Sequence, residues 1–147
     1  LYNLHLSAYT SDGKIAEEQL KILIEDMSAE YGKGNYVIGG GDFNKDLLGD
    51  SAAVFGVNGG DYTWAQPIPD GMFANTGLTL VVPEGKNGPV PTCRNADGPY
   101  NPKQYILTVD GFIVSDNVRA ENAEAIDTGF AYSDHNPISM TFTLMDR

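Results

Sequence analysis

GGGDFNKD, residues 39–46, is the stretch on which the reading of the fold turns. It follows directly on Asn35-Tyr36-Val37-Ile38, an apolar-leaning run that reads as a buried strand ended by three glycines. An acid and an amide then stand two residues apart, Asp42 and Asn44, with Phe43 between them. In extended chain, residues i and i+2 point the same way. Glycine backbone also lets a ligand approach closely. Read so, the strand presents Asp42 and Asn44 together at its end. The plainer reading is an Asx-type turn that caps Lys45-Asp46-Leu47.

Upstream, residues 2–7 alternate: Tyr2, Leu4 and Leu6 on one face, Asn3, His5 and Ser7 on the other. That is a strand with one apolar and one polar face. Thr10-Ser11-Asp12-Gly13 is turn chemistry that can cap a helix. The helix is expected over Ile15 to Tyr31, with Leu20, Leu23, Ile24, Met27 and Tyr31 on its apolar face. Gly32 or Gly34 ends it. Downstream, residues 45–77 read as irregular, with a short helix near Ser51 to Phe55. Thr79 to Val82 reads as a short strand, and Pro83 to Pro102 as a long loop rich in proline and glycine. Tyr105 to Ser115 and the strictly alternating Ile138 to Leu144 read as strands. The order predicts an α/β chain of the α+β kind, in which one amphipathic helix covers only one face of a sheet.

The chain has 147 residues, 41% of them hydrophobic, which is enough for one domain with a real core. No stretch approaches the roughly 20 apolar residues of a membrane-spanning helix. The formal net charge is −11, and the nine lysines and arginines are scattered. Such a surface repels a polyanion, so tight reading of DNA by this chain alone is not expected. A small anionic substrate held through a bound metal is compatible with it. Cys93 is the single cysteine, which excludes an internal disulfide.

Four polar sites lie in or at the ends of predicted strands. His5 is on the polar face of the first strand; its bland reading is an ordinary surface histidine. Asp42 and Asn44 are the second. Asp110 interrupts the apolar run Tyr105 to Val114; a carboxylate there is costly unless paired, and a histidine would serve. Its bland reading is a sheet-edge acid facing water. In Ser133-Asp134-His135-Asn136-Pro137 an acid and a histidine sit side by side before the last strand. Asp134 suits a hard cation such as Mg²⁺, and His135 suits a general base near neutral pH. The bland reading is a turn punctuated by Asn and Pro. Arg94, in the long loop, is a candidate phosphate contact or a plain surface arginine. Tyr62 and Trp64 suit either a substrate ring or, more simply, the core.

Asn3-Leu4-His5-Leu6, Gly41-Asp42-Phe43-Asn44, Asp110-Gly111-Phe112-Ile113-Val114-Ser115 and Ser133-Asp134-His135-Asn136-Pro137 occur in an order that resembles the endonuclease/exonuclease/phosphatase superfamily of DNase I-like phosphoesterases. The resemblance runs from residue 3 to about residue 140 and implies the C-terminal half of a four-layer α/β/β/α sandwich. It also implies roles. His5 binds a phosphate oxygen. Asp42 orients the attacking water or assists the leaving oxygen. Asn44 holds phosphate geometry. His135 is the base or the phosphate-polarising group, and Asp110 orients it. Asp134, with Asp42 and Asn44, belongs to a Mg²⁺ or Mn²⁺ site, while Asn3 and Arg94 are candidate substrate contacts. The family's early Asn and metal-binding Glu have no match here, so the chain is expected to be a C-terminal fragment with an incomplete metal site. Its expected partners are a phosphoester substrate, the missing N-terminal half of the same polypeptide, and further copies of itself through an exposed sheet face. The alternative is a binding domain that kept the fold and lost the chemistry.

Overall fold

The computed structural model describes residues 1–8, 10–60 and 64–146. It is a mixed α+β structure, mostly sheet with few helices. The elements run β1 (Tyr2–His5), α1 (Lys14–Gly32), β2 (Ile38–Asp42), α2 (Ser51–Phe55), β3 (Leu78–Val81), β4 (Cys93–Arg94), β5 (Ile106–Leu107), β6 (Asp110–Ser115), β7 (Val118–Ala125) and β8 (Ile138–Leu144). The main sheet has the order β1-β2-β6-β3. β1 pairs parallel with β2; β6 runs antiparallel to both β2 and β3. Two further pairs, β4-β5 and β7-β8, are antiparallel ribbons. No helix is long and apolar enough to cross a membrane among the described residues.

The alternation in the first strand holds: Leu4 and Leu6 are buried, Asn3 and His5 exposed. Leu20, Ile24 and Met27 of α1 pack with Leu4, Leu78 and Ile113 to form the larger core cluster. By register, Leu4, Gly41 and Ile113 belong to one face of the sheet, which α1 covers. The opposite face carries Asn3, His5, Asp42, Asp110 and Phe112. α1 begins at Gly13, which is left-handed at φ 65° and gives no side-chain cap. Asp12 instead accepts a hydrogen bond from the Lys14 amide at 3.2 Å.

The second strand is displaced from its expected position. It runs through the glycines rather than stopping at them. The reason is steric, and Gly41 is the sharpest case. Its φ is 143°, and a Cβ there would lie 2.0 Å from the Leu4 carbonyl oxygen. A Cβ on Gly40 would lie 2.7 Å from the Phe112 ring. Glycine here serves close packing of β1, β2 and β6, and the chain turns only after Asp42.

Two other expectations need correction. The strand expected from Tyr105 to Ser115 is broken between Leu107 and Asp110, where Thr108 and Val109 direct backbone groups out of the ladder. The Thr108 carbonyl accepts from the Leu47 amide, and the Val109 carbonyl from the Phe43 amide, both at 2.9 Å. The long loop contains β4, which pairs with β5. β7 escapes sequence reading because its inward side chains are mostly alanines and a bulge between Ala120 and Asn122 breaks the two-residue period. Its partner β8 leaves Phe142 45% and Leu144 49% exposed, an apolar stripe on one side of the ribbon.

Lys45 is only 1% exposed. Burial pushes its pKa down, with Glu17 opposing. A charge held this way costs stability. Lys45→Met should therefore stabilise the chain by about 1 kcal/mol at neutral pH, read from urea unfolding. The sign extends to pH. A lysine whose folded pKa is depressed makes stability rise as pH climbs from that value towards the ordinary 10.5, and the variant should lack this slope.

Candidate active site

Register brings the first three residues together. His5 is opposite Asp42 in the parallel pair, and Asp42 is opposite Asp110 in the antiparallel pair. One row across three neighbouring strands thus carries an imidazole and two carboxylates, on strands spaced about 4.8 Å apart. The fourth member comes from the turn before β8. That turn is laid against the β4 segment: the Arg94 amide donates to the Asp134 carbonyl at 2.9 Å, and the Asn136 amide donates to the Thr92 carbonyl at 2.8 Å. This sets Cys93 opposite His135. His135 Nδ1 then lies 2.8 Å from Asp110 Oδ2. Its Nε2 is 3.9 Å from Asp42 Oδ2, the same oxygen that lies 3.5 Å from His5 Nε2.

The electrostatics follow from this packing. The Asp110 carboxylate, and after it the Cys93 thiol, raise the His135 pKa to about 11 against the desolvation that opposes them. His135 is therefore an imidazolium at neutral pH, its Nδ1–H donated to Asp110 and its Nε2–H available to an anion. In that state its ring carries no free lone pair with which to act as a base. Asp42 is pushed up by burial; the Asn44 backbone amide opposes this and the Asp110 charge adds to it. A carboxylate raised in this way is a better proton acceptor. Burial also raises the Cys93 thiol, which keeps it neutral beside the imidazole. The site is an open shelf, since the His5 side chain is 79% exposed.

Asp42 and Asn44 do converge, but not by the extended geometry expected of them. Asn44 has a left-handed φ of 47°. Asp42 Oδ1 accepts from the Asn44 amide at 2.8 Å, so the Asx turn of the plainer reading is present. It is the device that folds the Asn44 side chain back onto Asp42. Asn44 Nδ2 donates to the Leu6 carbonyl at 2.6 Å and to Asp42 Oδ2 at 3.2 Å. Its amide nitrogen is thus spent on the protein.

His5, Asp42, Asn44, Asp110 and His135 form one cluster. Asn3 shares their face, paired with Gly40 two residues before His5. The Asp134 carboxylate, one residue before His135, accepts from the Ser133 hydroxyl at 3.3 Å. Arg94 turns its guanidinium onto its own loop, donating to the Asn95 and Gly98 carbonyls at 2.9 Å each. Trp64 packs against the second core cluster beside Ala65, Tyr105 and Leu107, while Tyr62 lies outside the described residues. Among the described residues, no group of three His, Cys, Asp or Glu side chains could hold a metal ion. Asp42 and the Asn44 oxygen supply hard-cation donors of the right chemistry, but they form part of a site and not the whole of one. Thr92, Cys93 and Asn136, which bind the His135 turn to the β4 segment, carry no sequence signal beyond their place in a long loop and beside His135.

No family model matches this chain, and no curated protein matches it. Among solved structures, a mannosyl-6-phosphatase of Bacteroides thetaiotaomicron VPI-5482 shares the fold, with a TM-score of 0.53 at 17% identity. The alignment covers 96% of this chain and 49% of that one, so this chain spans about half the length of its structural neighbour.

Proposed function

We propose that the chain is the half of a metal-dependent phosphoester hydrolase that carries the histidines. It would be a C-terminal part of an endonuclease/exonuclease/phosphatase domain with a DNase I-like sandwich. The observation that carries this reading is the His5–Asp42–Asp110–His135 cluster. Two imidazoles face one open shelf, one of them locked to a carboxylate, with a second, raised carboxylate between them. A fold shared with a phosphatase supports it.

The reaction is in-line attack of water on phosphorus. His135 offers Nε2–H to a phosphoryl oxygen, held in place by Asp110, and His5 offers a second donor from the edge strand. Asp42 takes the proton from the attacking water, and Asn44 fixes the Asp42 carboxylate. Fixed donors of this kind stabilise the charge that develops on the phosphoryl oxygens. Mg²⁺ or Mn²⁺, when bound, would offset phosphate charge at Asp42, Asn44 and Asp134. The remaining ligands would come from an upstream half of the same polypeptide, which would also cover the exposed stripe of β8. Without that half, the stripe favours self-association. The mannosyl-6-phosphatase neighbour makes a sugar phosphate monoester the first substrate class to try, ahead of a phosphodiester.

The test uses the polypeptide extended upstream, assayed on a sugar 6-phosphate and on a generic phosphodiester, with Mg²⁺ and with chelator. Metal-dependent turnover is expected, with His135→Ala lowering it by about 10³-fold. A folded, metal-loaded wild type that hydrolyses neither ester would move the assignment to a phosphate-binding domain.

A further inference from the structure

Thr92 is fully buried and is bonded on three sides. Its hydroxyl oxygen accepts from two consecutive amides, Val109 and Asp110, at 3.0 Å each. Its own amide donates to the Leu107 carbonyl at 3.0 Å, and its carbonyl accepts from the Asn136 amide at 2.8 Å. The side chain thus holds the residue that supplies the Asp110 carboxylate, while the backbone holds the residue that follows His135. The Thr92 hydroxyl accepts at the point where the strand expected from Tyr105 to Ser115 breaks, while its carbonyl accepts from the turn before β8. The Val109 and Asp110 amides, which leave the ladder there, are the ones the hydroxyl takes up. Asn136 fastens the other side: its Nδ2 donates to the Pro91 carbonyl at 2.9 Å, and its Oδ1 accepts from the Thr128 amide and hydroxyl at 3.0 and 2.7 Å.

We infer that Thr92 is a positioning residue that sets the 2.8 Å contact between Asp110 and His135 by holding both segments from one side chain and its backbone. A buried hydroxyl that satisfies two amides at a strand break is costly to lose, because both amides are then left unpaired. The Asp110 backbone would relax, and its carboxylate would withdraw from the imidazole. The inference rests on the proposed role of that pair in phosphoester hydrolysis, but its physical part can be read without any turnover.

Thr92→Val keeps the shape and removes the acceptor; Thr92→Ser keeps the acceptor and removes the methyl. In the 147-residue chain, NMR of the His135 ring follows the Nδ1–H that is donated to Asp110. Thr92→Val should lose this downfield Nδ1–H resonance, and Thr92→Ser should keep it. In the upstream-extended protein, kcat should fall by roughly 100-fold in Thr92→Val with KM changed less than about threefold. A folded Thr92→Val chain that keeps the downfield His135 Nδ1–H resonance would overturn the inference. Should Thr92→Val not fold, Thr92→Ser decides: a lost Nδ1–H resonance in that variant would overturn it equally. An inactive wild type would count against the hydrolase reading, while the NMR arm would still judge Thr92.

Discussion

Asp110→Asn should bring the His135 titration midpoint down from about 11 to near the ordinary value of 6.5 without unfolding the chain. The substitution keeps the shape of a side chain on β6 and removes the charge that lies 2.8 Å from Nδ1. His135 would then be largely neutral at neutral pH, with no fixed tautomer, and Nε2 would no longer be a reliable donor to the phosphate of the proposed reaction. On the proposed hydrolase reading, turnover in the upstream-extended protein should drop by on the order of 10³-fold or more, with the loss in kcat; that is the scale on which the carboxylate behind a histidine acts in serine proteases. The same variant tests a stability effect whose sign is fixed. The folded pKa of His135 lies above its unfolded value. The pair therefore contributes its full stability below about pH 6.5, and that contribution is lost as pH rises through about 11. The wild type should lose this contribution over that window, opposite in sign to the Lys45 slope, and the Asp110→Asn chain should lack the loss. A midpoint that stays high in the variant would mean that Cys93 or Asp42, and not Asp110, sustains the imidazolium.

Gly41→Ala should cost more stability than any surface change, about 4 kcal/mol or more by urea unfolding. The methyl would lie 2.0 Å from the Leu4 carbonyl oxygen, which is backbone and cannot swing aside, at a φ of 143° that L residues rarely adopt. Leu4 and Gly41 are opposite each other in the parallel pair, so relief of the clash requires β1 and β2 to part. That movement would also separate His5 from Asp42, the next pair along the register. Gly88→Ala is the control. Gly88 has a positive φ of 122°, but nothing lies within 4 Å of the position its Cβ would take. Only backbone strain remains there, about 1 kcal/mol. Equal losses at the two positions would show that strain, and not the close approach of β1 to β2, is what Gly41 relieves.

The residues of the site were legible in sequence because each interrupts a local pattern. His5 sits in a clean alternation, Asp110 in an apolar run, Asp42 after three glycines. The need of Asp110 for a partner followed from the cost of burying a lone carboxylate, and the structure supplies His135. The course of the chain at the glycines was not legible. Glycine signals conformational freedom equally in a turn and in a tightly packed strand, and only the approach of Leu4 and Phe112 tells the two apart. Lys45 was equally silent: nothing in a Lys-Asp pair after a turn announces that the first ammonium will be enclosed and the second residue will cap Ser51 through its carboxylate.

What the sequence determined by itself was local: the amphipathic helix, the alternating first and last strands, and the polar residues placed at their ends. These depend on side-chain period and on backbone preference, both of which are written in neighbouring residues. Only the tertiary structure decided what those residues do together. Register across three strands aligns His5, Asp42 and Asp110. A turn held to the β4 segment brings His135 onto Asp110, and the resulting contact, rather than the histidine's own chemistry, keeps its proton in place. Such relations span 25 residues in the Asp110–His135 pair and more in the His5–Asp42 and Asp42–Asp110 pairs, and they are set by hydrogen bonds between distant backbones, for which a single sequence carries no period to read.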